Sequence, residues 1–186
     1  MKHIDTIVNA CIDKGYVTPD KAPWLYYALE KRITSIIAFV PLIIIGFLIA
    51  APTTVLAFFA TFCVLRSQTN GFHAKTVGRC LLYSILGEAF FLKVLPFVWN
   101  DIIAFTALSV SFVLIWHLAP YNHPNMELSS AEIACCAKSA KKRLCILCIA
   151  LCVFWECKQE QLVKGVLLGV LMTAVTLVIA YLIPEK

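Results

Sequence analysis

Long apolar runs recur along this chain, separated by short polar stretches, and the pattern predicts membrane spans at about 33–50, 52–66, 77–98, 101–118, 143–157 and 162–183. Each is measured against the ~20 residues that cross a bilayer. The second and fifth are short, which calls for tilt, partial insertion or a locally thin bilayer. Pro41 falls inside the first run and is expected to kink it. Ala51-Pro52 and Asn100-Asp101 mark tight turns between runs. Ahead of the first run, residues 3–14 place Ile4, Val8, Cys11 and Ile12 on one helical face, the pattern of a helix lying in the membrane interface. Trp24, Tyr26 and Tyr27 add aromatic side chains of the kind that anchor at headgroup level.

Composition narrows the setting. The chain is 61% hydrophobic and 15% charged, with a mean hydropathy of +0.84, far more apolar than a soluble domain. Lipid-facing backbone must satisfy its own hydrogen bonds, so several apolar runs mean several helices. Residues 1–32 carry charges throughout and lack the apolar core of a cleavable signal. The expected fold is all-α: a polytopic membrane bundle of about six transmembrane helices over 33–183, with 1–32 as an interfacial amphipathic segment of one membrane-embedded domain. Charge then orients it. With the N-terminus in the cytoplasm, Lys158 and Lys164 alone of the 16 Lys and Arg residues fall outside, and Lys93 lies within a span. That is a strong positive-inside bias, and it leaves both termini and the polar stretch 66–80 cytoplasmic. The partner implied by such a surface is membrane lipid; no nucleic acid is expected.

The nine cysteines do not read as a disulfide set. Cys63, Cys145, Cys148 and Cys152 fall within spans, and Cys135 and Cys136 in a cytoplasmic loop kept reduced. Cys145, Cys148 and Cys152 follow helical spacing and read as packing residues. Cys135 and Cys136 suggest a metal site with His117 or His123, but no second pair stands at ligand spacing, and no metal is expected.

Cys80 differs. It ends the stretch RSQTNGFHAKTVGRC (66–80), opens the third span and follows Arg79. The unpaired amides of a helix N-terminus, with Arg79 and Lys75, supply the electropositive setting in which cysteine acts as a nucleophile. His73 is the nearest base in sequence. In one continuous helix the two side chains would stand about 10 Å apart along the axis. The pair therefore requires the chain to fold back, which Asn70-Gly71 and Gly78 permit. Gln68 and Asn70 are candidates to orient His73, and Gly71 serves the turn. Arg66 either snorkels from the second span or works in the site, holding an acidic group or an oxyanion.

The spacing Arg66-x4-Gly71-x-His73-x6-Cys80 resembles the signature of the accessory gene regulator B (AgrB) family, integral-membrane cysteine endopeptidases of Gram-positive bacteria that mature cyclic quorum-sensing peptides. LAPYNHPN (118–125) is similar to the family's AP-containing segment. The chain departs from the family in carrying Asn70-Gly71 where two glycines are common; asparagine tolerates positive φ. It departs again in NMELSSAE, where the family is lysine-rich; its basic residues come later, at Lys138, Lys141, Lys142 and Arg143. The resemblance implies His73 and Cys80 as catalytic residues, no cofactor, and a homodimer in the cell membrane. It implies as substrate an AgrD-like propeptide with an acidic C-terminal tail. Cys80 would form a thioester with the propeptide, and the propeptide's own thiol or hydroxyl would then close a thiolactone or lactone. Lys141, Lys142 and Arg143 are candidates to attract the tail.

Glu88 lies near the middle of the third span, where an ionisable group is costly. It is about 12 Å along the helix from Cys80, with Lys93 as a candidate partner. From the residues alone, two other classes stay open: a small transporter or channel subunit with Glu88 and Lys93 on a polar path, and a silent scaffold recruiting acidic peptides. The absence of an internal repeat weighs against a transporter.

Overall fold

The computed structural model describes residues 2–72, 77–95, 100–122 and 128–183, and among them every regular element is helical. The order is α1 (Lys2–Asp13), a 3₁₀ turn (Pro19–Lys21), α2 (Ala22–Ile49), α3 (Pro52–Thr69), α4 (Val77–Ala89) running into a π turn (Phe90–Val94), α5 (Asp101–Leu118), α6 (Ser130–Glu156) and α7 (Glu160–Leu182).

Caps explain the boundaries. Pro52 opens α3 from an extended Ala51, a position where a missing N–H costs nothing. The Asn100 side chain accepts from the Ile103 N–H at 2.9 Å and starts α5. α6 begins well ahead of the span expected at 143–157: it starts at Ser130, because Ser129 and Glu132 form a reciprocal capping box. Hydropathy marks where lipid begins, whereas the cap marks where the helix begins. Cys135, Cys136, Lys138, Lys141 and Lys142 therefore stand on a helix and not in a loop. α2 likewise starts at Ala22 rather than 33 and continues through Pro41. α6, at 27 residues, is about 40 Å long. By length and apolarity together, two described helices qualify to cross a membrane, α5 and α7; α2 contributes a shorter apolar stretch, Phe39–Ile49.

The chain divides into two compact units, Met1–Ile44 and Ile45–Lys186. In the first, α1 buries Ile4 and Val8 and half-buries Cys11 and Ile12, the face expected from their spacing. In the second, α7 is the central element: Val163, Gly165–Val170, Met172–Ala174, Leu177 and Ala180 are all buried. Its glycines let α3 approach to backbone distance. A Cβ on Gly165 would stand 2.5 Å from the Thr54 carbonyl oxygen, and one on Gly169 2.8 Å from that of Phe58. Small-xxx-small spacing of this kind is how helices pack where no hydrophobic drive separates protein from lipid.

The contacts also give the helix directions within this unit. Thr54 and Thr61 meet Gly165 and Gly169 in that order, so α3 and α7 run parallel. The Tyr181 hydroxyl donates to the Leu118 carbonyl at 2.8 Å, joining the C-terminal ends of α7 and α5. Arg143, at the middle of α6, bonds the C-terminal turns of α3, while the α6 tail at Phe154 and Trp155 lines a cavity with the α5 start. α6 therefore runs opposite to α3, α5 and α7. Large apolar side chains stand exposed along these helices, among them Leu82, Leu86, Phe105, Val110, Ile149 and Val153.

Candidate functional site

The end of the second unit where α3, α5 and α7 finish holds most of the residues singled out by sequence. α3 ends at Asn70, which has φ 53°, as its tolerance of positive φ suggested. Gly71 follows at φ 125°, in a region open to glycine and strained for any side chain. The turn is tied on three sides. Its Phe72 N–H donates to the Thr176 carbonyl of α7 at 3.1 Å, and the Tyr121 N–H donates to the Thr69 carbonyl at 2.9 Å. The Asn70 side-chain amide donates to the Tyr121 carbonyl at 3.1 Å. The Ala119-Pro120-Tyr121 segment is thus docked on the turn, with its Ala119-Pro120 peptide cis.

Arg66 turns inward over this loop. Its Nη2 donates to the Phe72 carbonyl, and its Nη1 is buried with no hydrogen-bond partner. The guanidinium lies where a Gly71 side chain would project, so glycine at 71 serves both the backbone conformation and the arginine. Snorkelling is not what this side chain does.

Cys80 stands on the first turn of α4, which begins at Val77, and its free thiol is half-buried. The Phe72 ring packs 6.1 Å from that of Tyr83, one turn beyond Cys80. His73 and Lys75 lie outside the described residues; His73 is joined by one peptide bond to Phe72, whose carbonyl Arg66 holds.

The remaining candidates separate. Gln68 donates to the Ser67 carbonyl at 3.1 Å. Arg143 Nη1 donates to the Val64 carbonyl at 2.7 Å and the Ser67 hydroxyl at 2.6 Å, clasping α6 to α3. Lys141 sits 5.0 Å over the Trp116 ring, a cation–π contact, and Lys142 is exposed. Glu88 is 1% exposed with neither carboxylate oxygen bonded, and it faces Gly46 across 2.6 Å from a notional Cβ there. Lys93, exposed on the π turn, is not its partner; it lines a cavity of about 300 Å³ with Thr54, Leu92 and Lys164. His123 is outside the described residues, and among those described no cluster of three His, Cys, Asp or Glu side chains is placed to hold a metal. A larger cavity, about 630 Å³, opens at the opposite end, between the α5 start and the α6–α7 junction. It contains none of the site residues.

Sequence reasoning missed one participant and one contact. The docking of Tyr121 on the turn was signalled only by the AP dipeptide, and Arg143, expected to attract the tail, clasps α3 instead, a pairing with no local signal.

These features define a protein whose described elements are all helical, with large apolar side chains exposed along them and a thiol at a helix start, and with a buried arginine holding a tightly tied turn. The chain belongs to the accessory gene regulator B family, whose model matches residues 4–177. No curated protein and no solved structure matches it. Membership brings a role in processing the agr autoinducing peptide in quorum sensing, a membrane-associated setting and an AgrD-like propeptide as substrate.

Proposed function

We propose that this chain is a multi-pass membrane cysteine endopeptidase, one membrane-embedded domain with both termini cytoplasmic, that removes the propeptide's acidic tail and cyclises what remains. The observation that carries the reading is the placement of Cys80. It stands on the first turn of α4, at the end where the turn leading into His73 is held by Arg66. Exposed apolar side chains along α4, α5 and α6 suit lipid contact. Antiparallel helix directions suit successive crossings that return the 66–80 and 119–129 segments to one face.

The chemistry follows from the two side chains. His73 takes the Cys80 thiol proton, and the sulfur attacks the carbonyl preceding the tail. The C–S bond forms and the carbonyl electrons move to oxygen. On collapse the C–N bond breaks, and His73 returns its proton to the departing amine. A thioester joins substrate to Cys80. The substrate's internal thiol or hydroxyl gives its proton to His73 and attacks that thioester; Cys80 leaves, and the ring is closed. Exchange of an amide for a thioester is uphill, so departure of the tail draws the first step forward. Exclusion of water at the membrane edge protects the acyl-enzyme from hydrolysis.

The test is cleavage of a purified propeptide by the protein in lipid vesicles. Cys80→Ala and His73→Ala should abolish cleavage and still bind the propeptide, whereas Cys145→Ala and Cys152→Ala should cleave normally. Cleavage by Cys80→Ala would end the proposal.

A further inference from the structure

Arg66 is bonded on one side only. Nη2 holds the Phe72 carbonyl, while Nη1 is buried and has no acceptor. A buried guanidinium N–H without a partner costs free energy of the order of a lost charged hydrogen bond, and a fold keeps such a group when something else supplies the acceptor. Nothing nearby among the described residues does so. Ser111 and Glu88 are the other described residues with buried unpartnered side-chain oxygens. Glu88 faces Gly46, about 12 Å along α4 from Cys80, and Ser111 lies mid-way along α5.

Two features locate the missing acceptor. The guanidinium lies over Gly71, where a side chain would displace it, so it is held against the loop rather than offered to the exposed surface. It also holds the carbonyl of Phe72, whose ring packs on Tyr83 one turn beyond Cys80, so the loop that the arginine holds is docked on the helix that carries the thiol.

We propose that Arg66 is a catalytic residue: its Nη1 donates to the carbonyl oxygen that becomes negative when Cys80 attacks, while its Nη2 fixes the carbonyl of the residue preceding His73. This rests on the peptidase reading and adds to it an oxyanion donor, and it assigns Arg66 to the scissile carbonyl rather than to the tail. Charge develops on that oxygen only in the tetrahedral state, so the donor stabilises the transition state more than bound substrate. Two N–H groups at fixed geometry are needed, one for each oxygen. A lysine can carry the charge but not the fork.

The experiment compares wild type, Arg66→Lys and Arg66→Gln in vesicles with two readouts, together with Cys80→Ala. The first is kcat and KM for propeptide cleavage. The second is the rate at which iodoacetamide alkylates Cys80, followed by peptide mass spectrometry; alkylation needs the thiolate and its surroundings but builds no oxyanion. Arg66→Lys should lose about 100-fold or more in kcat beyond any fall in the Cys80 alkylation rate, with KM near wild type. The same loss should persist with a propeptide whose tail carboxylates are replaced by amides. Alkylation falling in parallel with kcat would make Arg66 a brace for the loop and overturn the proposal. A loss confined to KM and abolished by the neutral tail would make it a tail receptor, again overturning it. Wild-type kcat in Arg66→Lys would do the same. If Arg66→Gln fails to insert, Arg66→Lys still decides. Cleavage by Cys80→Ala would show that the peptidase reading itself is at fault.

Discussion

Gly71→Ala is the substitution in which the turn and the site are tested together. At φ 125° a side chain costs about 1–3 kcal/mol in backbone strain. The new methyl also enters the space of the Arg66 guanidinium and comes within 3.2 Å of the Thr176 carbonyl oxygen. Arg66 must move and surrender the Phe72 carbonyl, a charged hydrogen bond worth about 1.5–3 kcal/mol. Together these give about 2.5–6 kcal/mol of local destabilisation, enough to rearrange residues 70–72 without dismantling the α3–α7 packing. Phe72 is joined to His73, and a shift of about 1 Å in a catalytic group costs on the order of 100-fold in rate. Cleavage of the propeptide in vesicles should therefore fall by about that factor or more. Gly78→Ala is the internal control. Gly78 lies on the first turn of α4 with nothing among the described residues within 4 Å of a notional Cβ, so alanine should add up to about 1 kcal/mol of helix stability and leave cleavage unchanged. Wild-type cleavage by Gly71→Ala would refute the reasoning, because the turn would then not hold the catalytic segment.

Gly165→Ala places a methyl 2.6 Å from the Ala57 Cβ and should destabilise the detergent-solubilised protein by about 1–3 kcal/mol. Gly87→Ala meets only the flexible Met172 Cε, at 3.4 Å, and should be tolerated; equal thermal midpoints for the two would contradict the close α3–α7 approach. Arg143→Gln should lower stability by about 1 kcal/mol through loss of its bonds to Val64 and Ser67, while Lys142→Gln leaves it unchanged. Denaturant titration separates them, and equal curves would deny the clasp. The Ser129 hydroxyl and N–H hold the Glu132 carboxyl below the usual carboxylate range. Its folded value is depressed, so its contribution is present above about pH 4.3 and is lost as pH falls through the depressed value. Amide-exchange protection of the first α6 turn, corrected for intrinsic rates, should drop in that window and lose the dependence in Ser129→Ala; an identical profile in that variant would deny the cap its role.

Much of this was written locally in the chain. α5 spans 101–118 as its apolar run predicts, because Asn100 caps it and the run ends where helix ends. The start of α3 was legible in Pro52, and the positive φ of Asn70 in its residue type. The start of α6 was legible too, in Ser129 and Glu132, thirteen residues ahead of the expected span, since Ala, Cys, Lys and Ser at 134–142 are helical without being lipid-facing in composition. The Gly165-xxx-Gly169 spacing was readable and is what brings α3 against α7. By contrast, Arg143 reaches Ser67 across 76 residues of sequence, and the Asn70 amide meets Tyr121 across 51. Such pairings are set by how the helices stack, which no local pattern encodes. Arg66 is the intermediate case. Its motif spacing pointed to the site, but only the packing shows one nitrogen bonded and the other left open.

The most direct measurement of the central claim is the intact mass of the protein after incubation in vesicles with a propeptide whose ring-closing cysteine or serine is changed to alanine. Without that nucleophile the second step cannot occur. The protein should gain the mass of the propeptide less its tail, on the tryptic peptide containing Cys80, and hydroxylamine should release it as a thioester. Release of the tail with no such adduct, or an unchanged yield of released tail in Cys80→Ala, would contradict the account.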